Sequence, residues 1–567
     1  MRGAVPQEQK DVDAVTTEVI RHGLTAAAEQ MAKSIQRSAR SQVVREMLDY
    51  STAIFDIRGG VVAQSTSIPL HLNSMTRALQ TLLQRYPIEC MASGEVYATN
   101  DPYAGGQHLP DILTFAPINF DGACIGIAGT LVHHLDVGGR APASYGADAT
   151  EIYQEGLCIP PVRIVSDGEL DPVFLAMFQA NIRVPGKTVG DLKAQIAALS
   201  IGAGEVARLV SRYGFLTLSR ATEQLVSDSE RRMRAAIRKL PEGAFLAEDI
   251  VDGDGLDDVP LRIAVEVRRT GDELVIDLTG SAPQTRGPIN CPIASTESAA
   301  YYAVMAMLDP EIPPNYGAYR PLRVIAPEGT VVNPRSPAPV VGRNVFTHRI
   351  ATIVMVAIGK ALPAKAVAPY YGNSNVFVLS TYDEAGAAYV HLEIEVGGWG
   401  ARVMGDGPDG LSAGIQNLAN NPIELVENEF PVRFTRYGFR PDSGGPGKYR
   451  GGMGLERGME LLTACELSTQ FDRVKYPPFG IFGGGAGAGG KVVVERRDES
   501  YEVAGKTVGH RLQCGDRVTM FTQGGGGYGH PSTRDPAAIE ADVQAGLVTP
   551  AHAREAYGWH GEENGDE

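Results

Sequence analysis

The chain has 567 residues, 43% of them hydrophobic and 21% charged, with a net charge of −16 and a pI near 5.3. That length suggests about three or four domains or one large elaborated unit, and the acidic balance argues against nucleic acid or an anionic membrane as partner, since both reward a basic face. No stretch approaches the roughly 20 apolar residues of a membrane span, and the polar opening MRGAVPQEQKDVDAV lacks a signal-peptide core, so a cytoplasmic enzyme is expected.

In chain order, residues 12–40 read as an amphipathic helix, with Ile20, Leu24, Ala27, Ala28, Met31 and Ile35 at helical spacing. The stretch DYSTAIFDIRGGVVAQS reads as a hairpin, two apolar runs about a Gly turn. SMTRALQTLLQRY is helical again. From Val96 to Val137, short apolar runs alternate with Gly, Pro and Asp, predicting buried strands whose ends carry polar loops. Residues 192–239 read as helical. Past Phe245 the runs LRIAVEVRR and ELVIDLTG predict an antiparallel pair about Thr270-Gly271. Helical spacing returns at 296–308 and 347–362. Residues 366–530 are Gly-rich with short strands, and ENGDE closes the chain as an acidic tail.

The expected class is α+β: mixed sheets, with an α/β lobe over 1–244, a strand-rich lobe over 245–530, and a C-terminal helix and tail over 531–567. Glycine is the outlying residue, at 66 of 567 against a usual ~7%. Its clusters GGWG, SGGPGKYRGGMG, FGGGAGAGG and QGGGGYG suit tight turns and close backbone approach. The six cysteines lie far apart without a C-x-x-C pair, as fits reduced thiols.

Four motifs carry possible chemistry. In GGQHLPDILTF, His108 and Asp111 precede a predicted strand, and LVHHLDVGG places His133, His134 and Asp136 after the next one. Imidazole and carboxylate at neighbouring strand ends suit Zn, Mn or Fe(II). Because successive strand residues face opposite ways, only one of His133 and His134 can join such a site. The bland alternative is a local turn with each histidine on a backbone carbonyl.

Three near-matches to the phosphate loop fail. Val492 follows Gly485–Lys491 where a hydroxyl is needed, and Ser500 and Asn181 replace the first glycine before Lys506-Thr507 and Lys187-Thr188. ATP binding by such a loop is therefore not expected in this chain. DSGGP, at 442–446, matches a serine-protease nucleophile segment, but Pro441 precedes it and no Ala-Ala-His-Cys segment exists. In DATEIYQEGL, Glu151 and Glu155 would share a helix face, as general bases or as acidic residues of a first helical turn.

Taken together, DYSTAIFDIRGGVVAQ, PLHLNSM, TNDPYAGGQHLPDI, LVHHLDVGG, DATEIYQEGLCIPPVRI, NIRVPGKTVGDLKAQIAA, GPINCP, GGWGARVMGDGPDG, YGFRPDSGGPGKYRGGMG, PPFGIFGGGAGA and GGGGYGHP make the chain resemble the hydantoinase B family. That family includes B subunits of ATP-dependent hydantoin- and lactam-opening enzymes and the C-terminal half of 5-oxoprolinase, with relatives in acetone and acetophenone carboxylases.

The resemblance implies one divalent metal on Asp49, His108, Asp111 and His133, with His134 the alternative. It implies a partner of the hydantoinase A type that binds ATP and Mg²⁺, in an α2β2 heteromer, and a small cyclic amide as substrate. Glu151, Glu155, Asp101 and His71 are candidates for substrate positioning or proton transfer. The alternatives are a ketone carboxylase subunit or a non-catalytic partner with a structural metal. One departure stands out: GRNVFTHRI carries Arg343, Phe346 and His348 where many hydantoinases show a Gly and a Glu-Thr-Ser-Gln-like run.

Overall fold

A computed structural model describes residues 11–71, 74–412, 414–497 and 499–561. The acidic ENGDE ending lies outside them. Helix α1 (Ala14–Ser38) is capped by the Asp13 carboxylate on the Thr16 amide and buries the predicted stripe from Ile20 to Ile35. A short helix α2 (Gln42–Arg45) delivers the chain to Asp49.

The first sheet has seven antiparallel strands: β1 (Tyr50–Phe55), β2 (Val61–Gln64), β3 (Val96–Thr99), β4 (Asp111–Phe120), β5 (Ala123–His133), β6 (Val162–Ser166) and β7 (Glu169–Leu170). Their spatial order is β2-β1-β5-β4-β3-β6-β7, with α3 (Ser74–Arg85) inserted between β2 and β3. The helices α4 (Pro172–Asn181), α5 (Pro185–Tyr213) and α6 (Phe215–Ile237) follow. The single helical reading of 192–239 is thus two helices: Gly214, at φ +80°, caps one and opens the next. The α4 helix has no counterpart in the sequence reading, because PVFLAMFQAN is apolar nearly all round and shows no period.

Strand alternation decides what each face of this sheet meets. Ile54, Ile112 and Val132 point into a core built with α1, α5 and α6. Phe55, Leu113, Phe115 and Leu131 point the other way, into a core shared with the rest of the chain. That second core is supplied by β8 (Gly243–Val251), β9 (Leu261–Thr270), β10 (Glu273–Asp277), α7 (Ile293–Leu308), α8 (Tyr316–Tyr319), β11 (Leu322–Ile325) and the buried helix α9 (Asn344–Ala361). The β9–β10 pair is antiparallel with Glu273 opposite Thr270, as the sequence predicts, and β11 adds in parallel.

The remainder is a sandwich. Its strands are β12 (Asn375–Tyr382), β13 (Ala388–Glu395), β14 (Val432–Phe439), β15 (Leu455–Leu461), β16 (Cys465–Gln470), β17 (Lys491–Arg496), β18 (Glu499–Val503), β19 (Lys506–Leu512) and β20 (Arg517–Phe521), with α10 (Ile423–Glu429) before β14. They form sheets ordered β13-β12-β16-β19 and β14-β15-β20-β17-β18. Phe377, Leu379 and Leu467 of one sheet meet Met459, Val494 and Met520 of the other. The opposite face of the first of these sheets, through Val376, Val378 and Leu392, packs on Met47, Leu135 and Tyr145 of the N-terminal part.

The glycine clusters stack their backbones at the end of this sandwich. A Cβ on Gly525 would lie 1.8 Å from the Trp399 carbonyl, and one on Gly451 would lie 1.9 Å from that of Gly525. Glycine is needed there for contact, since neither residue adopts positive φ. The chain ends in two helices rather than one, α11 (Pro536–Gln544) and α12 (Pro550–Tyr557), seated on Met453. Among the described residues, no helix is long and apolar enough to cross a membrane.

Candidate metal centre

Three adjacent strands bring the first motif residues together. Asp111 opens β4 and is paired across the ladder with His133, the last residue of β5. Asp49 immediately precedes β1, and its carbonyl accepts the His133 amide at 3.0 Å. By the two-residue alternation, Asp49, Asp111 and His133 share the face of Phe55, Leu113 and Leu131. His108 reaches the same place from the loop before β4. That loop depends on Gly105, whose φ is +101° and whose Cβ would collide with the Ala78 amide nitrogen at 2.6 Å.

Ligand atoms of His108, Asp111 and His133 lie within 4.8 Å of one another, and all three residues are buried. The Asp49 carboxylate falls outside that group, 3.9 Å from His71 Nε2. His71 in turn hydrogen-bonds Ser51 Oγ through Nδ1 at 2.8 Å. His134 faces the other side of the sheet, where Nε2 meets Gln195 Oε1 at 2.9 Å. Gln195 donates to the Ile112 carbonyl and Thr130 Oγ1, which fixes its own oxygen toward His134. His134 is thus held by α5, while His133 joins the cluster.

The hydrogen-bond pattern fixes the chemistry of the pocket. His108 Nδ1 lies 3.2 Å from the Val341 carbonyl, which can only accept, so Nδ1 carries the proton. Burial, then the Arg343 charge, holds His108 below the ordinary histidine pKa and so keeps it neutral. Its Nε2 lone pair therefore faces Asp111 Oδ1 at 3.2 Å. Those two atoms and His133 Nδ1 have no hydrogen-bond partner, although each is sealed from solvent. Unsatisfied buried groups cost about 1–3 kcal/mol each. A cation among the three would take up the facing lone pairs, and neutral imidazoles with a carboxylate are a donor set suited to Zn, Mn or Fe(II).

Electrostatics around the cluster are strongly perturbed. Burial raises the Asp111 carboxyl, but positive charge beside it, on His108 whenever that ring takes a second proton and on Arg343 always, holds it well below the usual range. Burial, then the negative charge of Asp111, pushes Asp49 up to about 8. Burial takes His71 down to about 4 and His133 well below its normal value. Tyr145 closes one side, its hydroxyl 3.4 Å from His133 Nε2.

A segment from the second part of the chain, residues 340–343, forms the roof. Glu155 Oε1 accepts the amides of Val340 and Val341, both at 2.8 Å. Arg343 Nη2 donates to Asp111 Oδ2 at 2.6 Å and to Gln107 Oε1 at 2.8 Å. Gln107 and Tyr145 are not among the sequence candidates, though Gln107 lies inside GGQHLPD. Arg343 is visible in the sequence only as a departure from the family pattern.

The remaining candidates are dispersed. Glu151 and Glu155 flank a single 3-10 turn, Ile152–Gln154, rather than sharing a helix face. Glu151 is exposed, and Glu155 is buried on the 340–341 amides. Asp101 caps the turn Pro102–Ala104 by accepting the Tyr103 amide. Ser443 of DSGGP hydrogen-bonds the Arg440 carbonyl inside the glycine stack. None of the three phosphate-loop near-matches joins a strand to a following helix: Lys491 opens β17, Lys506 opens β19, and Lys187 lies in the first turn of α5.

Known proteins share both the sequence and the architecture. A protein from Pseudomonas sp. strain NS671, named as the B component of a D-/L-hydantoinase, is 33% identical, with 97% of this chain and 95% of that one covered. The crystal structure of the ATP-dependent caprolactamase from Pseudomonas jessenii superposes with a TM-score of 0.92 at 30% identity, covering 98% of each chain. A nucleotide-free acetone carboxylase structure has a TM-score of 0.89 at 19% identity, covering 96% of this chain and 79% of that one; this likeness extends to the fold. The profile of the hydantoinase B/oxoprolinase family matches residues 13–531, almost the whole of the described fold, and the chain belongs to that family.

Proposed function

We propose that this chain is the metal-bearing subunit of an ATP-dependent cyclic-amide hydrolase and acts with a separate ATP-binding subunit. The observation that carries the reading is the sealed pair His108 Nε2 and Asp111 Oδ1, two lone-pair atoms 3.2 Å apart with His133 beside them. The named activities of the hydantoinase and caprolactamase relatives supply the reaction class. His108, Asp111 and His133 would hold the cation, with Asp49 adjacent as a further carboxylate.

When bound, a divalent ion supplies Lewis acidity toward a carbonyl or lowers the pKa of water. The chain's own groups do the rest. The Val341 carbonyl keeps His108 in the Nδ1–H tautomer. The 340–343 roof and Tyr145 exclude bulk water, which strengthens every charge interaction inside. His71 and Asp49 form a second imidazole–carboxylate pair at the edge, placed to hold a proton close to the centre. Unstrained cyclic amides resist hydrolysis, and ATP used on the partner subunit would supply the driving force.

The test is ring opening by the purified chain together with its ATP-binding partner, ATP and Mg²⁺, offered hydantoin, 5-oxoproline and caprolactam. Phosphate release coupled to formation of the open-chain acid supports the reading. Failure to open any of the three rings by an intact, metal-loaded complex overturns it.

A further inference from the structure

Arg343 is an unusually constrained cation. It is 2% exposed, and its Nε and Nη2 both donate to Gln107 Oε1, at 3.3 and 2.8 Å. Gln107 cannot turn away, because its amide nitrogen is committed to the Leu70 carbonyl and Ser74 Oγ, both at 2.9 Å. The guanidinium is therefore fixed along its Nε–Nη2 edge. Its other edge, Nη2–Nη1, is turned to the metal-ligand carboxylate.

Arginine and carboxylate usually close a two-bond fork along that edge. Here they do not. Asp111 Oδ2 takes Nη2 at 2.6 Å, but Oδ1 is turned to His108 Nε2. Arg343 Nη1 is left buried with no hydrogen-bond partner. A buried charged donor left open costs more than a neutral one, so a fixed and unfilled Nη1 marks a place for an acceptor from outside the chain.

Charge counting names the kind of acceptor. A divalent cation on His108, Asp111 and His133 is at most neutralised there, by Asp111 and by Asp49 where it too is ionised. Arg343 then leaves the sealed centre at least one positive charge in excess, which a buried site tolerates only with a counter-charge. We infer that Arg343 Nη1 is a specificity-determining donor for an anionic oxygen, a carboxylate or a phosphoryl group, on the molecule that enters this centre. The inference rests on the metal-centre reading above and narrows its substrate from any cyclic amide to one carrying, or having acquired, such a group.

The experiment is calorimetric binding to the zinc-loaded full chain without partner or ATP, so it can fail while ring opening succeeds, and the reverse. The probes are 5-oxoproline, 2-pyrrolidinone (the same ring without the carboxylate) and inorganic phosphate. At least one anionic probe is expected to bind about tenfold or more tighter than 2-pyrrolidinone, the scale of a charge-assisted hydrogen bond. Preference for 5-oxoproline assigns the oxygen to a carboxylate, and preference for phosphate assigns it to a phosphoryl group. Arg343→Gln should erase the preference with zinc retained, and Arg343→Lys should keep part of it. If neither anion outbinds 2-pyrrolidinone in the unaltered chain, or if no probe binds, the inference is overturned even should Arg343→Gln fail to fold. A preference that survives in folded, zinc-loaded Arg343→Gln also overturns it.

Discussion

Glu155 and Val341 are 186 residues apart in sequence, yet Glu155 Oε1 accepts the Val341 amide at 2.8 Å while the Val341 carbonyl meets His108 Nδ1 at 3.2 Å. A carboxyl on one part of the chain thus reaches a histidine on the same part only by way of a peptide group from the other. Burial pushes the Glu155 carboxyl up to about 8, so near neutrality it is protonated, and a glutamine is its close mimic.

Removing that carboxyl should therefore act on the metal site without touching it. Glu155→Ala leaves two buried amides without an acceptor and frees the roof segment, with an expected loss of about 10- to 100-fold in metal affinity by chelator competition. Glu155→Gln keeps an acceptor oxygen and should stay within about threefold of the unaltered chain. Equal affinities for all three proteins would show that the latch does not position His108.

How much of this is legible in the sequence differs by element. The strands β4 and β5 are readable because ILTF and IAGTLV are short apolar runs ended by turn residues, so His108, Asp111 and His133 can be placed at one sheet edge. Asp49 comes only through the family resemblance, since DYSTAIF marks a strand but says nothing of which strand it lies beside. Glu155, Gln107 and Arg343 cannot be connected at all. Their partners lie about 185 to 236 residues away, and single-sequence periodicity carries no information on such pairings. The glycine clusters announce close backbone approach, but not which loops interlock.

A second buried group gives a pH signature away from the metal. Glu395, in β13, accepts from Arg457 Nη1 at 2.7 Å beside Glu393. Burial, partly offset by Arg457 and reinforced by Glu393, pushes its carboxyl up to about 7. An acid raised on folding favours the protonated form in the native state. That stability is complete below the unfolded-state pKa, near 4.5, and is lost as pH rises through about 7. Glu395→Gln, which cannot ionise, should gain melting temperature relative to the unaltered chain between pH 5 and pH 8. A gap that is constant across that range would contradict the buried, raised carboxyl.

Gly525 of the glycine stack and Gly204 of α5 should respond in opposite ways to the same substitution. Gly525→Ala would place a methyl 1.8 Å from the Trp399 carbonyl oxygen, where only backbone can yield. Gly204, exposed within α5, would carry a methyl with nothing within 4 Å of it. Gly204→Ala should stabilise by roughly 0.8–1 kcal/mol through helix propensity. Gly525→Ala should lower the melting temperature sharply or abolish soluble protein. Both effects are read by thermal unfolding of the single variants.

His133 and His134 are adjacent in sequence and opposite in orientation, which makes them each other's control. His133 belongs to the 4.8 Å cluster with His108 and Asp111, whereas His134 is tied to Gln195 across the sheet. If the cluster holds the ion, His133→Ala should reduce bound metal to a small fraction of one equivalent by elemental analysis. His134→Ala should instead leave metal content near that of the unaltered chain while lowering thermal stability, since it strips a hydrogen bond from buried Gln195. The cost there is about 1–3 kcal/mol for an unsatisfied buried amide oxygen. Metal lost with His134 and retained with His133 would place the ion on the α5 side of the sheet, away from Asp111. The two variants together therefore locate the ion by which face of β5 must keep its imidazole.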